Sequence, residues 1–420
     1  MKLYSTLSRQ LEELPPPPGP IRMYFCGPTV YQRAHIGNAR PFALGMWLRA
    51  WLRQRGYDAT LVHNITDIND KIYDAAPGAS AELAAQATQW YLEDTADLGL
   101  GMPDGLPKAT DSVLSIVGFI EKLVDAGRAY EAGGDVYFSV MTDPGYGRLS
   151  RQKVENMEPE EASALKRAPQ DFALWKATKP GEDTAWDSPW GKGRPGWHIE
   201  CSVMAEDAFG PVFEIHGGGL DLVFPHHENE LAQSLALGHD FARIWMHNGL
   251  LMRGGEKMSK SLGNDMTIRG VVDAWGSEVA LMLLLSGQWR KPLDFNEATL
   301  EQARAQLETF RNVFRSPSEP VGDWAAFEAA LDDDFNTPEA LAILHGWRDH
   351  DLLRRAFAVF GLESIADPDE APPELVALAG QRQQARAAKD FAEADRLRDE
   401  IEAAGWRVRD VDAGFQLVPK

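Results

Sequence analysis

The fold is decided by residues 22–65, which read RMYFCGPTVYQRAHIGNARPFALGMWLRAWLRQRGYDATLVHNI. The opening apolar run RMYFC ends at the turn signal Gly27-Pro28. The segment ARPFALGMWLRAWLRQRG then has helical periodicity that stops at Gly56, and ATLVHNI is a second apolar run. A strand, a helix and a strand joined by short loops predict the start of an α/β fold with a parallel, doubly wound sheet.

Composition narrows the class of protein. The chain has 420 residues, of which 44% are hydrophobic and 25% charged, and this length suits about two to four globular domains. A chain of this length does not need a disulfide scaffold, and its only two cysteines, Cys26 and Cys201, fit a reducing cytosol that leaves both thiols free for metal binding or catalysis. No apolar run approaches the roughly eighteen residues of a membrane span. The sequence therefore predicts a cytoplasmic protein with no membrane partner.

The net charge argues against a polyanionic partner. The chain carries 42 Lys and Arg against 63 Asp and Glu, or −21, which repels nucleic acid on average. Residues 371–420 are nearly neutral, with eight basic and nine acidic residues. We predict a local basic face in this tail, with ordinary solvated surface charge as the alternative. The predicted face consists of Arg382, Arg386, Arg407 and Arg409.

The pattern of elements predicts a sheet domain with an insertion, then a helical region and a small α+β unit. The insertion has a helix at 113–126 and a β-rich part near 135–140, and a strand-and-loop pattern resumes at 196–227. In the helical region, Thr337 is predicted to cap a helix at 337–345. The final unit has helices within 374–404 and two short strands. The predicted segments are 1–110, 111–190, 191–245, 246–298, 299–366 and 367–420.

Two short motifs suggest phosphate chemistry. His35-Ile36-Gly37-Asn38 opens a helix, where free N–H groups and the helix dipole favour phosphate, although a turn histidine with a capping asparagine is the alternative. KMSKS at 257–261 offers two ammonium groups and two hydroxyls for a pyrophosphate leaving group. It does not fit GxxxxGK[ST], so the usual P-loop is excluded. A solvated loop is the alternative.

Together the motifs resemble the HIGH and KMSKS signatures of class I aminoacyl-tRNA synthetases. Four further blocks resemble those of cysteinyl-tRNA synthetases: FCGPTVY at 25–31, GWHIECS at 196–202, IHGGGLD at 215–221 and FPHHENE at 224–230. The resemblance covers nearly the whole chain. It implies a Rossmann-type catalytic domain, an inserted connective domain, a KMSKS-loop and stem-contact region, a helical bundle on the anticodon side and a C-terminal tRNA-binding unit.

The resemblance also implies an activity and its residues. A monomer would activate L-cysteine with Mg²⁺-ATP to cysteinyl-adenylate and transfer it to the 3′ end of tRNA-Cys. The catalytic residues would be His35, Asn38, Lys257 and Lys260, and those binding cysteine Gly27, Thr66, Trp197 and Asp221. The ATP-binding residues would be His35, Gly37, Asn38, Gly217, Gly218, Gly219, Asp221, Lys257, Met258, Ser259, Lys260 and Ser261.

Cys26, Cys201, His226 and Glu230 form a reasonable zinc set. His226 and Glu230 are four apart, hence on one helix face if FPHHENE opens a helix, and two sulfurs, an imidazole and a carboxylate suit zinc. The alternative is two buried free cysteines. The protease pattern HExxH fails because Leu231 replaces its second histidine. His227 would point about 100° from His226 on a helix, so it is predicted to support the metal or ATP site.

A zinc ion facing the substrate would explain selectivity. Packing alone separates cysteine from serine or alanine by only about 1–3 kcal/mol. Zinc binds thiolate strongly and a neutral alcohol poorly. An editing site would then be unnecessary, and no segment beyond the insertion is long enough for one.

The chain departs from the family in two places, and two rival functions remain. Asn38 replaces the last histidine of HIGH and cannot become cationic, and the helical region after Thr337 is shorter than usual.

One rival is the tRNA-independent ligase that joins cysteine to an amino sugar in mycothiol synthesis, which would not need residues 374–420. The other is a noncatalytic paralogue that binds zinc or RNA, disfavoured by the intact lysines and metal ligands.

Overall fold

The structure is a computed structural model that describes residues 1–158, 163–254, 256–257, 266–367, 371–411 and 414–419, with the backbone alone for 256, 257 and 419. The chain divides into two compact units, Met1–Glu363 and Ser364–Lys420. A division into two units does not test the boundaries of the six predicted segments, so these boundaries stay a prediction. Among the described helices, none combines the length and the apolar character needed to cross a membrane.

The first part of the chain builds strands and helices in alternation. Its elements are β1 (Lys2–Ser5), β2 (Gln10–Glu13), β3 (Pro20–Phe25), α1 (Ile36–Gln54), β4 (Asp58–His63), α2 (Asp70–Ala75) and α3 (Ser80–Ala96). β1 and β2 form an antiparallel hairpin, whereas β3 and β4 pair in parallel across α1. α1 stops two residues before Gly56, whose φ of +86° favours glycine.

The insertion folds as a helix on an antiparallel sheet. Its elements are α4 (Val113–Asp125), β5 (Ala129–Ala132), β6 (Asp135–Phe138), β7 (Phe172–Ala177) and β8 (Gly193–Pro195), with the strands in this order across the sheet. Phe138 and Trp175 of the insertion belong to the same buried cluster as Tyr24 of β3. The insertion therefore shares a hydrophobic core with the sheet domain.

The chain then returns to the parallel sheet. It forms α5 (Trp197–Phe209), β9 (Val212–Gly219), α6 (Glu228–Ala236) and β10 (Phe241–Asn248). The strand order is β10-β9-β3-β4 and every pair is parallel. The predicted doubly wound α/β fold is confirmed, and residues after β3, β4, β9 and β10 therefore meet at one edge of the sheet.

The prediction of a strand-and-loop pattern at 196–227 is wrong for its first half. GWHIECS opens α5, which begins at Trp197, and only β9 is a strand there. Every residue from His198 to Ala205 is buried. A helical segment that is buried on every face has no polar stripe, so these residues lack the amphipathic period that identifies surface helices.

The remainder of the first unit is mainly helical. It contains β11 (Leu251–Arg253), β12 (Glu256–Lys257), α7 (Ile268–Trp275), α8 (Ser277–Ser286), β13 (Leu293–Asp294), α9 (Glu297–Phe314), α10 (Trp324–Asp332), α11 (Thr337–His345) and α12 (His350–Ala358). The predicted cap of α11 is wrong by one residue. Asn336 is the N-cap, because its side chain accepts a hydrogen bond from the backbone N–H of Glu339.

The second unit is a helix pair with a hairpin. It consists of α13 (Pro373–Ala387), α14 (Phe391–Ala403), β14 (Trp406–Val411) and β15 (Gly414–Pro419). Its small core contains Leu375, Ala379, Ile401 and Leu417. Half of the predicted basic face is not available: Arg382 is buried, and both Arg382 and Arg386 form ion pairs with Asp410. The other two arginines of that face are exposed on β14.

Candidate active site and metal centre

A cavity of about 520 Å³ lies at the edge where the parallel strands end. It brings together most of the residues predicted from the motifs, although they come from distant parts of the chain. The predicted residues that line it are Cys26, Gly27, His35, Gly37, Asn38, Trp197, Gly219 and Asp221. Thr66 is buried beside this group, where its hydroxyl accepts a hydrogen bond from the side chain of Asn64.

The four predicted metal ligands form one buried cluster. Their candidate ligand atoms all lie within 4.8 Å of one another. Cys26 Sγ is 3.7 Å from both Cys201 Sγ and Glu230 Oε1, and His226 Nε2 is 3.0 Å from Glu230 Oε1. Tetrahedral zinc, with Zn–S near 2.3 Å and Zn–N or Zn–O near 2.0 Å, requires spacings of about 3.3–3.8 Å between ligand atoms. The donor set and both distances from the Cys26 sulfur therefore fit zinc, whereas the distance between His226 Nε2 and Glu230 Oε1 is shorter than this range.

Three elements deliver these ligands. Cys26 follows β3, Cys201 lies one turn into α5, and Glu230 lies in the first turn of α6. His226 belongs to a short turn at Val223–His227 that leads directly into α6. The interval of four residues therefore does place His226 and Glu230 side by side.

A second set of ligands overlaps the first. Cys26, His216, His227 and Glu230 also lie within 4.8 Å of one another, and His227 Nε2 is 3.3 Å from Cys26 Sγ. The 100° rotation expected on a regular helix does not remove His227 from the cluster, because the turn before α6 is not regular. Cys26 and Glu230 are shared by both sets, and Glu230 Oε2 lies 2.9 Å from His216 Nε2.

Burial sets the charge of the cluster. It raises the pKa of the Cys26 thiol well above its usual value, with Cys201 contributing, and it raises the pKa of Cys201 as well. It lowers the pKa of His226, so this imidazole is neutral at neutral pH. A bound cation would reverse the effect on the thiols by stabilising thiolate.

Several supporting residues were not predicted from the sequence. His198 Nδ1 lies 3.0 Å from His226 Nδ1, and His247 Nε2 lies 2.7 Å from His227 Nδ1. Burial lowers the pKa of His247 to about 3, so it too is neutral. His247 stands at the end of β10, and the rule that parallel strands end at one edge would have identified it. His198 lies in the GWHIECS block, but nothing in that block pointed to a contact with His226.

Of the glycine-rich block at 217–221, one glycine and the aspartate line the cavity. A Cβ on Gly217 would stand 2.4 Å from the ring of Phe25, and a Cβ on Gly218 would stand 3.0 Å from the ring of His227. Gly219 and Asp221, in contrast, line the cavity. Gly217 and Gly218 are therefore required by packing inside the protein.

The structure describes the HIGN motif but only the first residue of the KMSKS motif. His35 and Asn38 line the cavity, and His35 forms an isolated β-bridge with Thr267 just before α7. Of the KMSKS motif, the structure describes the backbone of Lys257, which lies in β12. Met258, Ser259, Lys260 and Ser261 lie outside the described residues, so their predicted roles stay predictions.

Three family models match separate parts of the chain. A model for the class I (C) tRNA synthetase catalytic domain matches residues 15–305, and a DALR domain model matches residues 326–350. A solved methionyl-tRNA synthetase of Mycobacterium tuberculosis, bound to methionyl-adenylate, has a similar fold, with a TM-score of 0.59, 13% identity and coverage of 83% of this chain and 90% of that one. The fold and the cavity thus define a class I aminoacyl-tRNA synthetase.

The second unit and the curated relatives identify the amino acid specificity of the family. Residues 369–416 match a model for the anticodon-binding domain of cysteinyl-tRNA ligase. A cysteine–tRNA ligase of Laribacter hongkongensis is 44% identical over 99% of this chain and 98% of its own length. One from Azotobacter vinelandii is 45% identical over 98% and 97%. The chain belongs to the cysteine–tRNA ligase family.

Proposed function

We propose that this protein activates L-cysteine with ATP and transfers it to the 3′ end of tRNA-Cys. The observation that carries the proposal is the buried cluster of two thiols, an imidazole and a carboxylate, which borders a cavity lined by the HIGN motif. A thiol-binding centre beside a phosphate-binding helix start is what ATP-dependent cysteine activation requires.

Cys26, Cys201, His226 and Glu230 would hold zinc. When bound, the ion supplies a site that prefers the substrate thiolate over a hydroxyl. The set with two sulfurs is favoured over the set with one, since softer donors suit zinc better than additional imidazole. Glu230 is held in place by His216, whose Nδ1 lies 2.9 Å from the backbone carbonyl oxygen of Tyr24.

The rest of the cysteine would lie against Gly27, Thr66, Trp197 and Asp221. Trp197 stacks on His226 with ring centroids 4.3 Å apart. A residue predicted to bind the substrate cysteine therefore packs directly against a predicted zinc ligand. Gly27 donates its backbone N–H to Asn64 Oδ1 at 2.8 Å, which ties the ends of β3 and β4 together. These contacts would orient the cysteine carboxylate towards ATP.

The nucleotide would bind along His35, Gly37, Asn38, Gly219 and Asp221. The cysteine carboxylate would attack the α-phosphorus of ATP in line, forming the new P–O bond while the bond to pyrophosphate breaks. Lys257 and Lys260 would neutralise the charge that builds on the departing pyrophosphate, and Mg²⁺, when bound, would supply further positive charge there. Asn38 can donate a hydrogen bond to phosphate without carrying charge. No general base is needed, because the attacking carboxylate is already ionised.

We further propose that tRNA is held by more than one segment of a monomeric, cytoplasmic enzyme. The insertion at 111–190 would contact the acceptor end, the regions 246–298 and 299–366 the stem and the anticodon side, and 367–420 the anticodon loop. The match of residues 369–416 to an anticodon-binding domain supports the last assignment. It also disfavours a small amine as acceptor.

The purified protein should attach labelled cysteine to RNA. With Mg²⁺-ATP, cysteine and total tRNA, we expect acid-precipitable label that depends on both ATP and tRNA. Cysteine-dependent pyrophosphate exchange without label on RNA would shift the proposal to a small amine acceptor. Zinc binding without ATP turnover would support the noncatalytic paralogue.

Removal of the second unit should separate the two half-reactions. A chain ending at Asp367 lacks a compact unit with its own small core, so we expect cysteine-dependent pyrophosphate exchange to stay within about threefold of the full-length rate. Charging of tRNA should fall by about tenfold or more, because the phosphate contacts of that unit are lost. Equal charging by the two chains would contradict a tRNA-binding role for residues 367–420.

A further inference from the structure

A buried aspartate on α3 joins two arginines from distant parts of the chain. Asp94 is fully buried, and its Oδ1 lies 2.5 Å from Arg33 Nη1 and 3.4 Å from Arg269 Nε. Arg33 belongs to the loop that leads from β3 to the HIGN motif, whereas Arg269 lies in the first turn of α7. We call Arg33, Asp94 and Arg269 the arginine bridge.

The charge of Asp94 is what holds the arginine bridge together. Within the part of the chain that the structure describes, its second oxygen, Oδ2, is buried and has no hydrogen-bond partner. A buried carboxylate in this position depends on its cations for stability. The two guanidinium groups share one oxygen and would repel each other without it. Asp94 therefore keeps Arg33 and Arg269 close together.

The other acidic partners of Arg269 contribute less. Asp97 pairs with this arginine while its side chain is 39% exposed, and Asp273 pairs with it at 3.8 Å while 63% exposed. Such solvent-exposed ion pairs are screened by water and salt and stabilise little. Asp94 is the buried acid of the three, and it also pairs with Arg33.

The arginine bridge lies where the two signature segments meet. Arg33 lines the main cavity two positions before His35, and its guanidinium carbon lies 5.3 Å from the ring centre of Trp90 on α3. Arg269 follows the KMSKS motif in the chain, at the start of α7. The bridge thus connects a wall of the cavity to the helix that follows KMSKS.

Backbone hydrogen bonds join the same two segments. The N–H of Ile36 donates to the carbonyl oxygen of Met266 at 2.7 Å, and the N–H of Ile268 donates to that of Ala34 at 3.0 Å. These bonds align the two segments with each other but do not fix them to the rest of the domain. The arginine bridge adds α3 as the third element of the joint.

We propose that Asp94 is a positioning residue for ATP, which holds the loop before HIGN and the start of α7 at the spacing that lets both signature motifs contact one nucleotide. The inference rests on the proposed function. Asp94 does not line the main cavity, so it acts through Arg33 and Arg269. The predicted ligands of zinc and of the substrate cysteine are not part of the bridge, and the effect of Asp94 is therefore on ATP.

The test is an isosteric replacement with a matched control. Asp94→Asn keeps the shape of the side chain and removes its charge. We expect the dissociation constant and the KM for ATP to rise by about tenfold, because a small displacement of binding groups is sufficient for such a loss. The KM for cysteine and the zinc content should stay within about twofold of the wild-type values. Asp273→Asn removes an exposed partner of the same Arg269 and should match the wild type in every measurement.

Two further variants test whether the arginines act as one unit. Arg33→Gln and Arg269→Gln each break one side of the bridge, and each should weaken ATP binding. The double variant should bind ATP about as weakly as the weaker single variant, because a bridge broken once has no further coupling to lose. Arg269 is 34% exposed, so its variant keeps the test possible if Asp94→Asn does not fold.

The results that would overturn the inference are specific. Unchanged ATP affinity in Asp94→Asn would do so, as would additive losses in the double variant or an equal rise in the KM for cysteine. A loss in Arg33→Gln alone would mean that Arg33 contacts the substrate directly, and would also overturn it.

Equilibrium binding of ATP, measured without cysteine or tRNA, separates this inference from the proposed function. A wild-type protein that binds ATP but does not activate cysteine would refute the proposed function. A wild-type protein that activates cysteine, together with an Asp94→Asn protein of normal ATP affinity, would refute the inference alone.

Discussion

Replacing Cys201 with serine is expected to release zinc and to remove most of the preference for cysteine over serine. The Cys201 sulfur lies 3.7 Å from that of Cys26 within the four-ligand cluster, and a serine hydroxyl is a poor zinc ligand. The bound metal should fall from about one ion per chain to a small fraction of that. Discrimination between cysteine and serine should fall to the roughly 10–200-fold that packing alone supplies.

Metal content after dialysis and pyrophosphate exchange with each amino acid measure both effects. Ser202→Ala is the matched control, because Ser202 follows on the same buried helix but donates its hydrogen bond to Gln233 outside the cluster. Unchanged zinc and unchanged selectivity in Cys201→Ser would refute the assignment of Cys201.

A pair of neighbouring histidines distinguishes the two overlapping ligand sets. His226→Gln should lose zinc, whereas His227→Gln should retain it with weaker affinity, because His227 contacts the Cys26 sulfur at 3.3 Å without being a ligand in the favoured set. The reverse result would select the set that contains His216 and His227.

Replacing Gly27 with alanine is expected to destabilise the protein severely and to abolish activity. A Cβ at this position would stand 1.7 Å from the backbone carbonyl oxygen of Asn64, an impossible contact with main chain that cannot rotate away. The ends of β3 and β4 would have to separate, and with them Cys26 and Thr66 would move. We expect a loss of about 3 kcal/mol or more in the free energy of unfolding, at the upper end of the range for overpacking.

Gly118→Ala is the control for this substitution. Gly118 lies within α4, where an added Cβ has no neighbour within 4 Å, so helix propensity should stabilise the protein by up to about 1 kcal/mol. Denaturant unfolding and pyrophosphate exchange would be measured for both variants. A Gly27→Ala protein as stable as the wild type would contradict the close approach of the two strand ends.

Local patterns were sufficient wherever a feature depended on near neighbours in the chain. The order of β3, α1 and β4 follows from residues 22–65, because apolar runs and a single helical period specify it. The interval of four residues predicted that His226 and Glu230 meet, and they are 3.0 Å apart. The resemblance of short blocks located the family, which the matched models and relatives confirm.

Patterns failed where burial or pairing depended on distant residues. Residues 198–205 of α5 carry no amphipathic period because all of them are buried, so the opening of this helix was predicted as strand and loop. Arg382 and Arg386 were expected on a basic face, but Asp410, 28 and 24 positions away, pairs with both. His198 lies in the GWHIECS block and His247 lies in none of the quoted blocks, and only packing brings them to His226 and His227.

The sequence by itself therefore determined the class of the sheet, the family and the types of side chain that could bind zinc and nucleotide. Periodicity and short motifs encode these within a few residues. The tertiary structure alone decided that Cys26 and Cys201, 175 positions apart, have sulfurs 3.7 Å apart, and that two histidine-containing ligand sets share Glu230. Such groupings arise when separate segments bury a common core, and no local pattern carries that information.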